Sequence, residues 1–153
     1  RVISTLGNIK NYMPSLKSSV VLDGRASGVG AVRQCEDLAG KRWAEQCTEF
    51  NPGRSLTMRF LSEAPDFPFP AKTMRGGWEV MPTNGGCQVT VWWELLPTQK
   101  LLAPVILPLL AFQADRDFPG VIQRMATDAL GYPLEVAGQQ NSGPMARLLP
   151  SIC

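Results

Sequence analysis

The sequence predicts an α+β domain: a curved antiparallel β-sheet wrapped around a long C-terminal α-helix, with two short helices near the N-terminus. Three observations predict it. Turn signals recur at short intervals between residues 20 and 97. Apolar and polar residues alternate between those turns, as in half-buried strands. An apolar stretch with helical spacing then follows from residue 98. Since no connection between the strand candidates can hold a crossover helix, neighbouring strands should be antiparallel.

Residues 1–19 carry apolar side chains mostly three or four positions apart, which is helical spacing. Gly7 and Pro14 interrupt that pattern, so we predict two short helices instead of one continuous helix.

Six strand candidates follow, and each ends at a Gly- or Pro-containing turn such as Asn51-Pro52-Gly53. They cover residues 20–22, 30–38, 42–50, 55–61, 71–81 and 87–96. In the last three, apolar side chains occupy every second position, so one face of the sheet should be apolar and the other wet.

Another element must pack on the apolar face of the predicted sheet, and residues 98–130 are the candidate for this element. Their broad apolar stripe consists of Leu101, Leu102, Val105, Leu109, Phe112, Val121, Ile122 and Met125. Pro104, Pro108 and Pro119 lack an amide donor, so we expect this helix in two pieces. The predicted domain spans residues 1–130, and residues 131–153, rich in Pro, Gly, Gln and Asn, form a tail.

Composition excludes several function classes. The net charge is +2 and no Lys/Arg cluster forms a phosphate-facing stripe, so nucleic-acid binding is not expected. The absence of histidine removes Ser-His-Asp and Cys-His catalysis and every imidazole zinc site. The longest apolar run, residues 101–112, is shorter than the ~20 residues that cross a bilayer. We expect no cofactor and no metal.

The four cysteines, Cys35, Cys47, Cys87 and Cys153, form no CxxC motif. We therefore interpret them as free thiols of a cytoplasmic protein, with a Cys35–Cys47 disulfide as the alternative.

Five segments, in this order and spacing, resemble the START-like superfamily, in the branch of polyketide cyclase/dehydrase and lipid-transport proteins related to the birch pollen allergen and the abscisic acid receptors. They are GNIKNYMPSLKSS (7–19), GVGAVR (28–33), WAEQCTEFNPGRSLTMRF (43–60), FPAKTMRGGWEVMP (69–82) and CQVTVWW (87–93). The resemblance covers about residues 2–125 and implies the helix-grip fold.

The sequence departs from the family at two positions. Family members begin with a strand that has no counterpart before residue 7, and a tyrosine of many relatives is Met74 here. We expect the sequence to begin inside a longer product, with a cleaved signal segment as an alternative. Either the family's first strand lies outside the given sequence, or another segment or chain fills its position. An unfilled position would expose strand edges, through which a homo-dimer could form; the tail is the other candidate for a dimer contact.

The resemblance implies an elongated cavity between the sheet and the long helix, suited to a lipid, a sterol-like molecule or an aromatic polyketide. By strand and helix alternation, the predicted lining consists of Leu56, Met58, Phe60, Met74, Trp78, Val91, Trp93, Phe112 and Met125. Gly76 should leave additional room there.

Two ionisable residues complete the predicted site. Glu45 lies two positions after Trp43, so both side chains should point to the same side of the strand, and in the family pattern this Glu faces the pocket. Lys17 matches a ligand-anchoring lysine of the abscisic acid receptors. We expect Lys17 and Glu45 to pair or to anchor a polar ligand end, with a solvated Lys17 at a helix end as the alternative. Arg33 and Asp37 are expected at the surface.

The predicted function is binding or transport of a hydrophobic small molecule. One alternative is a cyclase or dehydratase with Glu45 or Lys17 as acid or base. Another is a protein-interaction role like that of the superfamily's chaperone regulators, which predicts a closed core and an exposed apolar patch. The 101–112 segment is expected to act as lid and core, with transient contact with a membrane surface as its alternative.

Overall fold

A computed structural model describes residues 2–84, 86–99, 101 and 103–131. A 3₁₀ turn (Leu6–Asn8) runs directly into helix α1 (Ile9–Tyr12). One antiparallel sheet follows, with its strands in sequence order, and a single long helix, α2 (Ala103–Leu130), completes the fold. The strands are β1 (Leu16–Val21), β2 (Val32–Asp37), β3 (Arg42–Asn51), β4 (Ser55–Phe60), β5 (Ala71–Thr83) and β6 (Gly86–Pro97).

The sheet confirms the predicted meander, since all five neighbouring pairs are antiparallel and joined by short connections. β1 begins earlier than expected, at Leu16. Three register shifts interrupt the ladders: between Leu16 and Ser18, between Cys47 and Glu49, and between Ala71 and Thr73. The second shift reverses the side-chain alternation within β3, so that Phe50 lies opposite Leu56.

The N-terminal helical segment is shorter than the sequence indicated, because the chain is already extended at Met13 and enters β1 soon after Pro14. Leu6, Ile9 and Tyr12 are buried at three-residue steps along it. This face holds the segment against the core.

The expectation of a long helix in two pieces was wrong. α2 is continuous and contains both Pro108 and Pro119, and it ends at Gly131, whose φ of 74° suits a left-handed C-terminal cap. The Gly131 amide donates to the carbonyl oxygen of Thr127 at 2.8 Å.

Continuity of α2 also overturns the predicted single apolar stripe. At about 100° per residue, the nine positions between Phe112 and Val121 turn the helix by two and a half revolutions. The two side chains therefore point to opposite sides, and Phe112 is 67% exposed whereas Val121 is 1% exposed. The segment predicted as lid and core instead exposes Leu101, Val105, Leu109 and Phe112. Leu102 lies outside the described residues.

The core lies between the sheet, the N-terminal segment and the C-terminal half of α2. Its helical part consists of Val121, Ile122 and Met125, with Phe118 packed edge-to-face on Trp78 at 5.9 Å. Cys35, Cys47 and Cys87 are buried free thiols, so the alternative of a Cys35–Cys47 disulfide is not realised. Cys153 and the predicted tail beyond Gly131 lie outside the described residues.

Within the described part of the chain, no helix combines the length and apolar character needed to span a bilayer.

Candidate functional site

A half-open cavity of about 520 Å³ lies at the end of the sheet that carries the β3–β4 and β5–β6 turns. Three parts of the chain enclose it: the N-terminal segment, the last turns of α2 and the apolar face of β4, β5 and β6. Its lining residues are Val2, Ile3, Ser4, Thr5, Asn8, Tyr12, Phe50, Asn51, Gly53, Arg54, Ser55, Leu56, Trp78, Val80, Cys87, Val89, Ile122, Met125, Ala126, Asp128 and Ala129.

Strand register explains why the sheet wall of the cavity is apolar. Leu56 lies opposite Trp78, and Val80 lies opposite Val89, so these side chains share one face across three strands. Phe50 joins the wall because the irregularity after Cys47 turns it inward, next to Leu56. The wall therefore offers a continuous surface for an apolar molecule.

A polar clasp closes one side of the cavity. The hydroxyl of Tyr12 donates to Oδ2 of Asp128 at 2.6 Å, and Nε of Arg124 donates to the Tyr12 carbonyl oxygen at 2.6 Å. Burial, together with the hydrogen bond to Asp128 and its negative charge, raises the pKa of Tyr12 to about 12. Tyr12 therefore stays protonated at neutral pH and joins the N-terminal segment to α2.

Three of the predicted lining residues, Leu56, Trp78 and Met125, lie in this cavity. Met58 and Val91 are buried on the same face of the sheet as core residues, outside the cavity lining. They pack in the middle of the strands, beyond the cavity end.

Phe60, Met74 and Trp93 lie toward the opposite end of the strands, where the structure does not bring them to the cavity. Four residues of strand separate Leu56 from Phe60, a distance of about 13 Å. There Phe60 packs edge-to-face on Phe69 at 6.2 Å, and Trp43 contacts the same ring at 5.2 Å.

Phe112 and Lys17 are also outside the lining. Phe112 lies on the exposed side of α2. Lys17 lies on β1, not at a helix end, and its side chain is 62% exposed while Nζ donates to Oε1 of Glu36 at 2.6 Å. The hydrogen bonds from Lys17 and Arg42 hold the pKa of Glu36 below its usual value.

Glu45, expected to face the pocket, is buried but does not line the cavity, and its partners are Arg33 and Trp43, not Lys17. Nη2 and Nε of Arg33 donate to Oε2 at 2.6 and 3.0 Å, and Nε1 of Trp43 donates to Oε1 at 2.6 Å. Arg33, expected at the surface, is buried because its side chain shares the inner face with Glu45 in the β2–β3 register.

The third donor of Arg33, Nη1, reaches the Leu6 carbonyl oxygen at 3.2 Å, so the pair also holds the N-terminal segment. Burial by itself would lower the pKa of Arg33, but the nearby carboxylate of Glu45 outweighs that effect and raises it. This is a satisfied buried ion pair that supports the fold behind the cavity.

Gly76 does not enlarge the described cavity. A Cβ at this position would lie 3.0 Å from the Trp92 carbonyl oxygen and 3.3 Å from Cβ of Trp93. The glycine therefore permits close approach of β6 to β5.

Sequence reasoning missed the polar residues of the cavity, chiefly Tyr12, Arg54 and Asp128. Strand alternation could have added Val80 and Val89, which continue the apolar face of β5 and β6. Nothing in the local pattern brings Tyr12 and Asp128 together, because they are far apart in the chain. The described residues contain no group of three or more His, Cys, Asp or Glu side chains that could hold a metal ion.

Comparison with known proteins agrees with this fold. The family model described as polyketide cyclase/dehydrase and lipid transport matches residues 1–129. No curated protein sequence matches the chain significantly.

Solved structures of similar fold include three informative cases. The major latex-like protein 151 of Panax ginseng is 14% identical, with a TM-score of 0.55 and 78% of each chain covered. A Thermobifida fusca protein solved by NMR is 20% identical, with a TM-score of 0.57, covering 86% of this chain and 84% of its own. A Thalictrum flavum norcoclaurine synthase mutant, in complex with a transition-state analogue, is 15% identical, with a TM-score of 0.52 and coverages of 79% and 82%. These likenesses establish the helix-grip fold.

Proposed function

The chain belongs to the polyketide cyclase/dehydrase and lipid transport family, and on that premise we propose that it binds a hydrophobic small molecule in the cavity beside the Tyr12–Asp128 clasp. Candidate ligands are a lipid, a sterol-like molecule or an aromatic polyketide. The observation that carries the proposal is the cavity itself, because its volume of about 520 Å³ falls within the range of small-molecule sites.

The distribution of polar groups supports the same proposal. Apolar side chains of the sheet and α2 form the inner walls, while Asn8, Arg54 and Asp128 lie among the polar lining residues. Apolar walls with few polar groups suit a ligand that is largely apolar and carries a small polar part. Self-association and membrane contact are not required for this role.

Catalysis as a cyclase or dehydratase receives less support from the geometry. Such chemistry needs an acid or base within hydrogen-bonding reach of the substrate. Both carboxylate oxygens of Glu45 accept hydrogen bonds from Arg33 or Trp43, and Glu45 is not among the cavity-lining residues. Lys17 is exposed and bonded to Glu36.

The test combines native mass spectrometry of the purified protein with titration of 1-N-phenylnaphthylamine, a neutral fluorophore that brightens in apolar surroundings. We expect a co-purified apolar ligand or saturable binding of the fluorophore at one site. Ala129 lines the cavity and is exposed, so Ala129→Trp should narrow the cavity without overpacking the core and weaken fluorophore binding at least fivefold.

Ala39→Trp is the matched control, because Ala39 is exposed in the β2–β3 turn and does not line the cavity. It should bind the fluorophore as the unmodified protein does. Absence of both a co-purified ligand and saturable binding would refute the proposal, as would equal effects of the two tryptophans.

A further inference from the structure

We propose that the cavity selects amphiphiles with an acidic head group, and that Arg54 is the residue that recognises that head. This inference rests on the proposed function and adds the chemical class of the ligand. Among the described lining residues, Arg54 carries the one guanidinium, and it lies beside the apolar sheet wall.

The backbone fixes Arg54 at the cavity. Its amide donates to the Asn51 carbonyl oxygen at 3.0 Å, which closes the β3–β4 turn, and its carbonyl oxygen accepts from the Val80 amide at 2.7 Å. These two hydrogen bonds hold the residue against both β3 and β5. The side chain therefore starts from a fixed position beside the apolar wall formed by Leu56 and Val80.

The guanidinium of Arg54 has no partner among the described residues. Every other arginine at a described position donates a side-chain hydrogen bond to a carboxylate or a carbonyl oxygen of the described chain. Among the arginines that the structure describes, Arg54 alone keeps its donors available. A guanidinium presents five N–H donors in a planar fork that matches a carboxylate or phosphate head.

The remaining charge in the lining does not neutralise Arg54. Asp128 is the one carboxylate among the described lining residues, and it lies on α2, where it accepts the hydroxyl hydrogen bond of Tyr12. A ligand with an acidic head would therefore meet a free cation on the sheet side, while its apolar part covers Leu56, Trp78 and Val89.

The size of the effect follows from exposure. Arg54 is exposed, so an acidic head bound to it stays partly hydrated, and the preference should be modest. A charge-assisted hydrogen bond at such a place corresponds to about a tenfold difference in affinity. Because the charges are exposed, this preference should also decrease as the salt concentration rises.

The experiment compares dodecanoic acid with dodecan-1-ol, which share the alkyl chain and differ in the charged head, as competitors of 1-N-phenylnaphthylamine. We expect the acid to bind about tenfold more tightly than the alcohol. Arg54→Gln should lower the affinity for the acid about tenfold, so that acid and alcohol bind this variant alike.

Arg59→Gln is the matched control, since it removes the same charge from β4, the strand that follows Arg54, where Arg59 pairs with Glu63 away from the cavity. This control should keep the preference for the acid. Circular dichroism and thermal melting of both variants establish that they are folded.

Each outcome decides between the two proposals. If the fluorophore, the acid and the alcohol all fail to bind the unmodified protein, the proposed function fails. If acid and alcohol bind equally, binding stands and the inference about the head group is overturned. The inference about the head group is also overturned if Arg54→Gln weakens binding of the acid and of the alcohol equally. It is likewise overturned if Arg59→Gln loses the preference for the acid.

Discussion

Replacing Glu45 by glutamine removes the negative charge from a buried ion pair while nearly keeping the side-chain shape. The side chains of Arg33 and Glu45 are 9% and 5% exposed. Since arginine is not deprotonated in proteins, Arg33 should keep its charge when its partner is neutralised. Uncompensated charge in such surroundings typically costs 3–5 kcal/mol. Because the amide oxygen of glutamine can still accept hydrogen bonds from Arg33, we expect a loss at the low end of this range, about 3 kcal/mol in the free energy of unfolding.

The assay is urea unfolding at pH 7, followed by tryptophan fluorescence, together with thermal melting. For a protein of this length, a loss of that size corresponds to a decrease in Tm of about 6–12 °C. The double variant Arg33→Met/Glu45→Leu should recover much of this loss, since apolar residues can replace a buried pair. Recovery should be incomplete, because the Leu6 carbonyl oxygen then loses the donor from Arg33.

Glu36→Gln is the control, because its partners Lys17 and Arg42 have side chains that are 62% and 61% exposed. Its effect should be much smaller, since exposed ion pairs contribute little. The reasoning would be refuted if Glu45→Gln left the free energy of unfolding within about 0.5 kcal/mol of the unmodified protein.

Two further predictions test the packing around the cavity. The pKa of Tyr12 is about 12 in the folded chain, against 10.0 for an unperturbed tyrosine. The unfolded chain therefore loses this proton at a lower pH than the folded chain does. As a result, the free energy of unfolding should fall as the pH rises from about 10 to 12. In Tyr12→Phe, the urea midpoint should fall less steeply over this pH range than it does in the unmodified protein. An unchanged dependence of the midpoint on pH would contradict the Tyr12–Asp128 contact. Val121→Ala should destabilise by about 2 kcal/mol, whereas Val105→Ala, 69% exposed on the same helix, should have little effect on urea unfolding. Equal losses would show that the packed face of α2 is assigned incorrectly.

The strand order and approximate strand boundaries were predictable, since they depend on local signals. Turns such as Asn51-Pro52-Gly53 separate strands whose side chains alternate with a period of two, and both features can be read over a few residues. The same local alternation explains why Leu56 and Trp78, which were predicted to face a cavity, lie in its lining.

The predicted cavity lining differs from the observed one partly because of local irregularities. A register shift after Cys47 turns Phe50 inward, and the composition of β3 gives no indication of this shift. On α2, the interpretation depended on whether Pro108 or Pro119 breaks the helix. Because α2 continues through both, Phe112 faces solvent on the side opposite Val121.

By itself, the sequence determined an antiparallel meander followed by a long helix, because period, turn residues and chain order are local properties. Only the tertiary structure decided which charges meet: Glu45 with Arg33, Lys17 with Glu36, and Tyr12 with Asp128. Partner choice depends on register and on distances between segments remote in the chain, which sequence periodicity does not encode. For the same reason, only the folded chain leaves Arg54 beside an apolar wall with its donors available.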